Sequence, residues 1–208
     1  MGRLRRLQLA AKRILDLSVA GAGLVLLSPL LALLALLIRL ESPGPAFIRQ
    51  SRLGRRGAVF GMFKLRTMRV GAPMVLNPDG STCVLDNDPR VTYLGGRLRR
   101  WGLDELPQLI NVLRGEMSLV GPRPDHDFQL PHYSHADLVK LTMRPGITSL
   151  AQVSGRNALP WPERMALEIE YVNRFSLWLD LQIVGRTPGV LLRGRGVNNP
   201  ASSAVIDR

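Results

Sequence analysis

Leu17 to Ile38 is a run of 22 residues without a charge. As a helix it would reach about 33 Å at 1.5 Å per residue, against a hydrocarbon core of roughly 30 Å. The segment is long enough to span a bilayer. It is too long for a secretory signal and lacks a small-residue cleavage pattern. At its midpoint stands Ser28-Pro29. Proline removes a backbone donor and its ring collides with the carbonyl of Val25, while the Ser28 hydroxyl can serve a carbonyl that loses its bond. A strong kink is expected there.

The flanks carry independent information. Arg3, Arg5, Arg6, Lys12 and Arg13 precede the run, and Arg39, Arg49, Arg52, Arg55 and Arg56 follow it. Both ends look cytoplasmic by the positive-inside rule. A helix bent at Ser28-Pro29 enters and leaves through one face, with its basic clusters on acidic headgroups. The alternative is an ordinary spanning anchor with an incidental proline.

Beyond the membrane segment Pro43-Gly44-Pro45 breaks the helix. Ala46 to Gln50 and Val59 to Thr67 read as two short strands joined by a turn at Gly54-Arg55-Arg56-Gly57. Residues 71 to 92, rich in Pro, Asn, Asp and Gly, read as a loop that is mobile or ordered by a ligand. Helices are expected over Tyr93 to Trp101, Glu105 to Arg114 with a stop at Gly115, about Ala136 to Met143, Trp161 to Phe175, and from Leu177 with an interruption at Pro188. Trp161, Tyr171 and Trp178 suit either a membrane interface or a half-buried core position.

With 28 Lys plus Arg against 16 Asp plus Glu, the formal charge of +12 calls for anionic partners: phosphates, acidic lipids or nucleic acid. The one cysteine, Cys83, excludes an internal disulfide and a Cys-based zinc site. His126, His132 and His135, with Asp125 and Asp127 nearby, fit neither metalloprotease nor zinc-finger spacing and read as solvated loop residues.

The stretch from Arg99 to Gln108 places two carboxylates, Asp104 and Glu105, at a helix start just after Arg99-Arg100. Asp104 falls at the N-cap, where its plain role is to accept a backbone amide for about 0.5–2 kcal/mol. A helix start is also a phosphate site, and a divalent ion would let carboxylates and phosphates share it. An ionised aspartate attacks phosphorus without a general base, because its ordinary pKa of about 3.9 leaves it deprotonated at neutral pH. Gly121-Pro122-Arg123-Pro124, Arg144-Pro145-Gly146 and Gly155-Arg156-Asn157 each stiffen the backbone around an arginine, which suits bidentate phosphate binding.

Several runs resemble the monotopic phosphoglycosyl transferases, also called bacterial sugar transferases or polyprenyl glycosylphosphotransferases. They are Lys12 to Asp16, Ser28-Pro29, Phe63 to Met68, the ungapped Leu103 to Pro124, and Arg144 to Gly155. The resemblance covers nearly the whole chain to about Asp180. It implies that Asp104 is a nucleophile forming a covalent sugar-phosphate intermediate, that Glu105 completes the dyad, and that both hold Mg2+. It implies a functional role for Arg99, and substrate contacts for Lys64, Arg123, Arg144 and Arg156 whose division it leaves open. It also favours the hairpin at Ser28-Pro29. Many relatives carry Gly and Trp where this chain has Ser149 and Leu150 or Ala151, and an Asp where it has Glu116. These departures bear on carrier packing and sugar choice.

The expected fold is α+β and mostly helical. Residues 1–42 form a re-entrant membrane helix broken at Ser28-Pro29, 43–193 a cytoplasmic catalytic domain with a small β-hairpin, and 194–208 a tail. The chain looks like the minimal catalytic form of its family. The expected reaction moves a sugar 1-phosphate from a UDP-sugar to polyprenyl (undecaprenyl) phosphate, releasing UMP at the inner face of a bacterial cytoplasmic membrane, and so starts glycoconjugate or exopolysaccharide assembly. Acidic lipids are expected partners, nucleic acid is not, and a homodimer is left open. The rivals are a membrane-tethered nucleic-acid binder and a glycosyl transferase that releases UDP.

Overall fold

The computed structural model describes residues 2–77 and 88–193. Cys83, the middle of the 71–92 loop and the tail from 194 lie outside the described residues. The chain opens with one long helix, α1 (Arg3–Glu41). Its buried residues, Lys12, Asp16, Ala20, Leu31, Leu34 and Ile38, fall on one stripe at helical spacing. The opposite face is apolar and exposed, with Val25, Leu26 and Leu40 at 74–77%. The helix is long and apolar enough to cross a membrane.

Both halves of α1 are held by the same body. Near the N-terminus the Arg5 guanidinium donates to the Val172 carbonyl at 2.9 Å, and Lys12 meets Asp180 at 2.7 Å. Asp16 accepts from the Ser118 hydroxyl at 2.7 Å and the Leu119 amide at 3.0 Å. Toward the C-terminus Leu31, Leu34 and Ile38 pack with Ala46, Leu65 and Leu98. Arg66 closes that end by donating to the carbonyls of Ser42 at 2.7 Å and Ile38 at 3.4 Å, a cation on the negative pole of the helix. Pro29 lies inside the helix, which continues on both sides of it as one element. The Ser28 hydroxyl donates to the Val25 carbonyl at 2.8 Å, the acceptor that the proline ring deprives of its amide partner.

Strands β1 (Phe47–Leu53) and β2 (Val59–Leu65) form an antiparallel hairpin in register from Phe47 opposite Leu65 to Leu53 opposite Val59. Both strands differ from expectation by a few residues at their ends. Phe60, Met62 and Lys64 share one face of β2, since side chains alternate along a strand. Phe60 and Met62 enter a core with Ala20, Leu109, Val112 and Met117.

Helix α2 (Tyr93–Trp101) is capped by Thr92, whose hydroxyl accepts the Gly95 amide at 3.0 Å. A 3-10 helix, Leu103–Gln108, follows and runs into α3 (Leu109–Arg114), which ends at Gly115 in the left-handed region. The expected single helix from Glu105 is thus split into a 3-10 part that holds Pro107 and an α-helical part from Leu109. The Ala136 to Met143 helix is also 3-10, over Asp137–Thr142. Two three-residue strands were not anticipated: β3 (Ser118–Val120) and β4 (Gly146–Thr148) pair in parallel. Helices α4 (Leu150–Ser154), α5 (Trp161–Arg174) and α6 (Leu177–Arg193) complete the fold, and α6 passes through Pro188 without interruption. Tyr171 is wholly buried and donates to Asp180 at 2.7 Å, which removes it from any membrane interface. Trp178 is 68% exposed.

Candidate active site

Asp104 is not an N-cap. Gly102, with φ of 68°, is the residue that caps the 3-10 helix, and Asp104 lies within its first turn. The carboxylate turns instead to β2, where Lys64 Nζ lies 2.9 Å from Asp104 Oδ2 and 3.4 Å from Glu105 Oε1. Lys64 is the last inward residue of the row begun by Phe60 and Met62, so it stands where the apolar core gives way to a cavity. Asn111 fixes the distance between these elements. Its side chain is fully buried, accepts the Phe63 amide at 2.9 Å, and donates to the Gly61 carbonyl at 2.9 Å and to Glu116 at 2.7 Å.

Arg123 reaches Glu105 Oε1 at 2.9 Å from the turn after β3. That turn depends on backbone contact: a Cβ on Gly121 would lie 2.4 Å from the Arg144 carbonyl oxygen, and one on Gly146 would lie 2.1 Å from the Gly121 nitrogen. On the Asp104 side, Arg99 Nε donates to the Thr67 hydroxyl at 2.8 Å. Gly95 permits this approach, since a Cβ there would meet the Thr67 carbonyl oxygen at 2.1 Å. Arg156, after Gly155, holds a left-handed φ of 57°.

These groups surround a cavity of about 500 Å³. Nine Lys or Arg against three Asp or Glu line it, so its vacant space attracts anions. Burial opposes ionisation of Glu105, but Arg123 and Lys64 overcome it and bring the carboxyl to about 2. The Glu105 charge in turn raises Arg123. Burial lowers Arg99, and burial with repulsion from Arg123 lowers both Arg156 and Arg52, Arg52 to about 10. The last two guanidiniums therefore have less negative charge around them than they can use.

Lys64, Arg99, Asp104, Glu105, Arg123 and Arg156 come together at this cavity. Arg144 does not join them; its Nε donates to the Gly115 carbonyl at 2.8 Å. Arg52 does line the cavity, although its position after the apolar run suggested a headgroup contact. Its place on β1, two residues from Gln50 and bonded to it at 3.1 Å, was the available signal. His126 is buried rather than solvated, and burial followed by the charge of Arg52 lowers it to about 4. Among the described residues no three His, Cys, Asp or Glu gather as a metal site. The Asp104–Glu105 pair still fits magnesium, which takes one or two carboxylates and completes its shell with water and substrate phosphate.

The sequence profile described as bacterial sugar transferase matches residues 7–194. The chain belongs to the bacterial sugar transferase family. It is similar to the exopolysaccharide production protein ExoY of Rhizobium meliloti, 42% identical over 89% of this chain and 87% of the relative. It is 47% identical to a UDP-glucose:undecaprenyl-phosphate glucose-1-phosphate transferase of Caulobacter vibrioides, over 87% of this chain and 69% of that protein. The Escherichia coli protein of that same description is 41% identical over 83% of this chain, which spans 38% of its length.

Proposed function

We propose that this sugar transferase moves a sugar 1-phosphate from a UDP-sugar to polyprenyl phosphate and releases UMP. The observation that carries the reading is the carboxylate pair at the wall of a cationic cavity, in a chain 47% identical to a protein named for that transfer. An Asp104 oxygen attacks the β-phosphorus, and the bond from that phosphorus to the oxygen bridging the α-phosphate breaks. UMP leaves with the electron pair, and the sugar phosphate remains joined to Asp104 as a mixed carboxylic-phosphoric anhydride. A carrier phosphate oxygen then attacks the same phosphorus and restores the carboxylate.

Lys64 and Arg123 suit the charge that develops on the phosphoryl oxygens, the main demand of phosphoryl transfer. An incoming diphosphate gives Lys64 a new partner and frees Asp104 to attack. Magnesium, held by Asp104 and Glu105, would neutralise diphosphate charge. A nucleic-acid binder is less well supported, because nine Lys and Arg side chains line a cavity together with the carboxylate pair.

The same reading sets α1 in the inner face of a bacterial cytoplasmic membrane as a re-entrant helix. Contacts with the catalytic body run from Arg5 to Ile38. If straight, that stretch is about 50 Å long, against a hydrocarbon core of roughly 30 Å. A straight spanning helix would drag part of the catalytic body through the bilayer, whereas a bend at Ser28-Pro29 keeps that body on one side. Acidic headgroups then meet the flanking arginines.

Asp104→Asn tests the mechanism. The variant should fold and bind membranes but release no UMP above background, and intact mass should show a sugar-phosphate adduct on wild type alone. Substantial turnover by the asparagine variant would sink the covalent route, and release of UDP in place of UMP would make the enzyme an ordinary glycosyl transferase.

A further inference from the structure

Next to the main cavity, sharing Arg123 and Arg156 as walls with it, lies a smaller space of about 40 Å³, here called the extension. Arg123, Arg156 and Trp161 are among the walls the two spaces share, while Ala151, Gln152, Met165 and Glu168 belong to the extension. Three buried polar atoms on its walls, Gln152 Oε1, Glu168 Oε2 and Arg156 Nη1, have no hydrogen-bond partner among the described residues. Glu168 is 2% exposed, and its other oxygen accepts the Ser149 hydroxyl at 2.7 Å. An unsatisfied buried polar group costs about 1–3 kcal/mol, so three around one small space imply a polar occupant.

The size and chemistry of the space define that occupant. One water needs about 10–15 Å³ by this measure, so the extension holds about three heavy atoms, less than a hexose ring. Two acceptor oxygens and a guanidinium suit a hydroxyl, which both donates and accepts. Arg123, Lys140, Arg156 and Arg164 line it beside Asp125 and Glu168, with Arg123 and Lys140 already paired to Glu105 and Asp125, and a phosphate is larger than the space. Trp161 adds an aromatic surface whose negative face attracts the C–H bonds of a pyranose.

We infer that the extension is a sugar subsite, taking one hydroxyl-bearing arm of the donor hexose between Gln152 and Glu168. This rests on the sugar-phosphate transfer proposed above. With the β-phosphate at Glu105 and Arg123, the group attached to it lies next to the extension, and Arg156 faces both spaces. Arg156 Nη1 donates to the hydroxyl oxygen while Gln152 Oε1 or Glu168 Oε2 accepts its hydrogen, so the three groups select a hydroxyl by position.

The test uses the full-length enzyme in detergent with magnesium, polyprenyl phosphate, a panel of UDP-hexoses, and the monodeoxy analogues of the best donor. UMP release is measured for wild type, Gln152→Leu and Ala151→Leu. Gln152 Oε1 has no partner to lose within the described protein, so Gln152→Leu should leave thermal unfolding unchanged. It should lower kcat/KM about tenfold or more for the best donor and much less for the one deoxy analogue that lacks the recognised hydroxyl. Ala151→Leu fills the extension and should show the same selectivity. Uniform effects on every donor, or none, mean that the extension holds water only and overturn the subsite while leaving the transfer reading intact. If wild type releases UMP from no donor, the transfer reading falls and the subsite with it.

Discussion

Arg123→Gln removes the guanidinium 2.9 Å from Glu105 and leaves that carboxylate to Lys64 at 3.4 Å. In the intact site burial pushes Glu105 up, yet Arg123 and Lys64 bring it from 4.5 to about 2. At about 1.4 kcal/mol per unit, that fall corresponds to about 3 kcal/mol in favour of the ionised folded state. Two cations share it, and the Arg123 side chain is one-third exposed, so solvent takes over part of its role. The expected loss is about 1–2 kcal/mol, or about 2–8 °C in Tm for a chain of this size. The sign is fixed by the direction of the shift. A depressed carboxyl stabilises the fold fully above 4.5 and loses that contribution as pH falls toward 2. The gap between wild type and variant should therefore be widest near pH 7 and narrow below about pH 4.5. Tryptophan-detected unfolding in detergent at about pH 7.5, 5.5, 4 and 3 measures it. A gap independent of pH would show that Arg123 contributes packing and not counter-charge, and the electrostatic account of the site would fail.

Gly146→Ala should cost about 2 kcal/mol or more and lower Tm, because its Cβ would lie 2.1 Å from the Gly121 nitrogen and 2.5 Å from the Thr148 oxygen. Gly189→Ala in α6 has nothing within 4 Å and should raise Tm slightly, so equal shifts in the two variants would discredit the contact argument. For topology, Arg6→Cys and Ala58→Cys place thiols at exposed positions on either side of the apolar run, in a Cys83→Ser background. Both should resist a membrane-impermeant reagent added to intact cells and react once the inner membrane is opened. Labelling of the Arg6 position from outside would establish a spanning helix.

The parts legible in the sequence are those governed by near neighbours. Thr92, Gly102 and Gly115 mark helix ends by local backbone chemistry, and alternation along Val59–Leu65 sets Lys64 on the same face as Phe60 and Met62. The acidic pair was visible as two adjacent residues, but its role as a cap was not the role it has, because Lys64 approaches from a strand some 40 residues earlier in the chain. Glu168 and Gln152 showed no signal, since their significance lies in a space lined by four separate stretches of the chain. Strands β3 and β4 are too short to alternate. Arg52 and Arg144 exchanged places for a related reason: a basic residue beside Pro or Gly resembles a binding turn until tertiary contacts decide which arginine is spent on a backbone carbonyl.

Helix α1 supplies Ala20, Leu31, Leu34 and Ile38 to the interior of the catalytic body while its other face stays apolar and uncovered. If α1 lies in a membrane as proposed, the bilayer takes part in biogenesis. Until α1 has a lipid phase on one side, the nascent chain has no reason to present its stripe to the other, and until α1 is in place β2 and α3 lack a wall of their core. Cutting before Phe47 to obtain a water-soluble enzyme would thus expose two hydrophobic clusters and remove Lys12 from Asp180 and Asp16 from Ser118. On that reading insertion and folding are one event, and expression calls for membrane, or a detergent that imitates it, while the chain is being made.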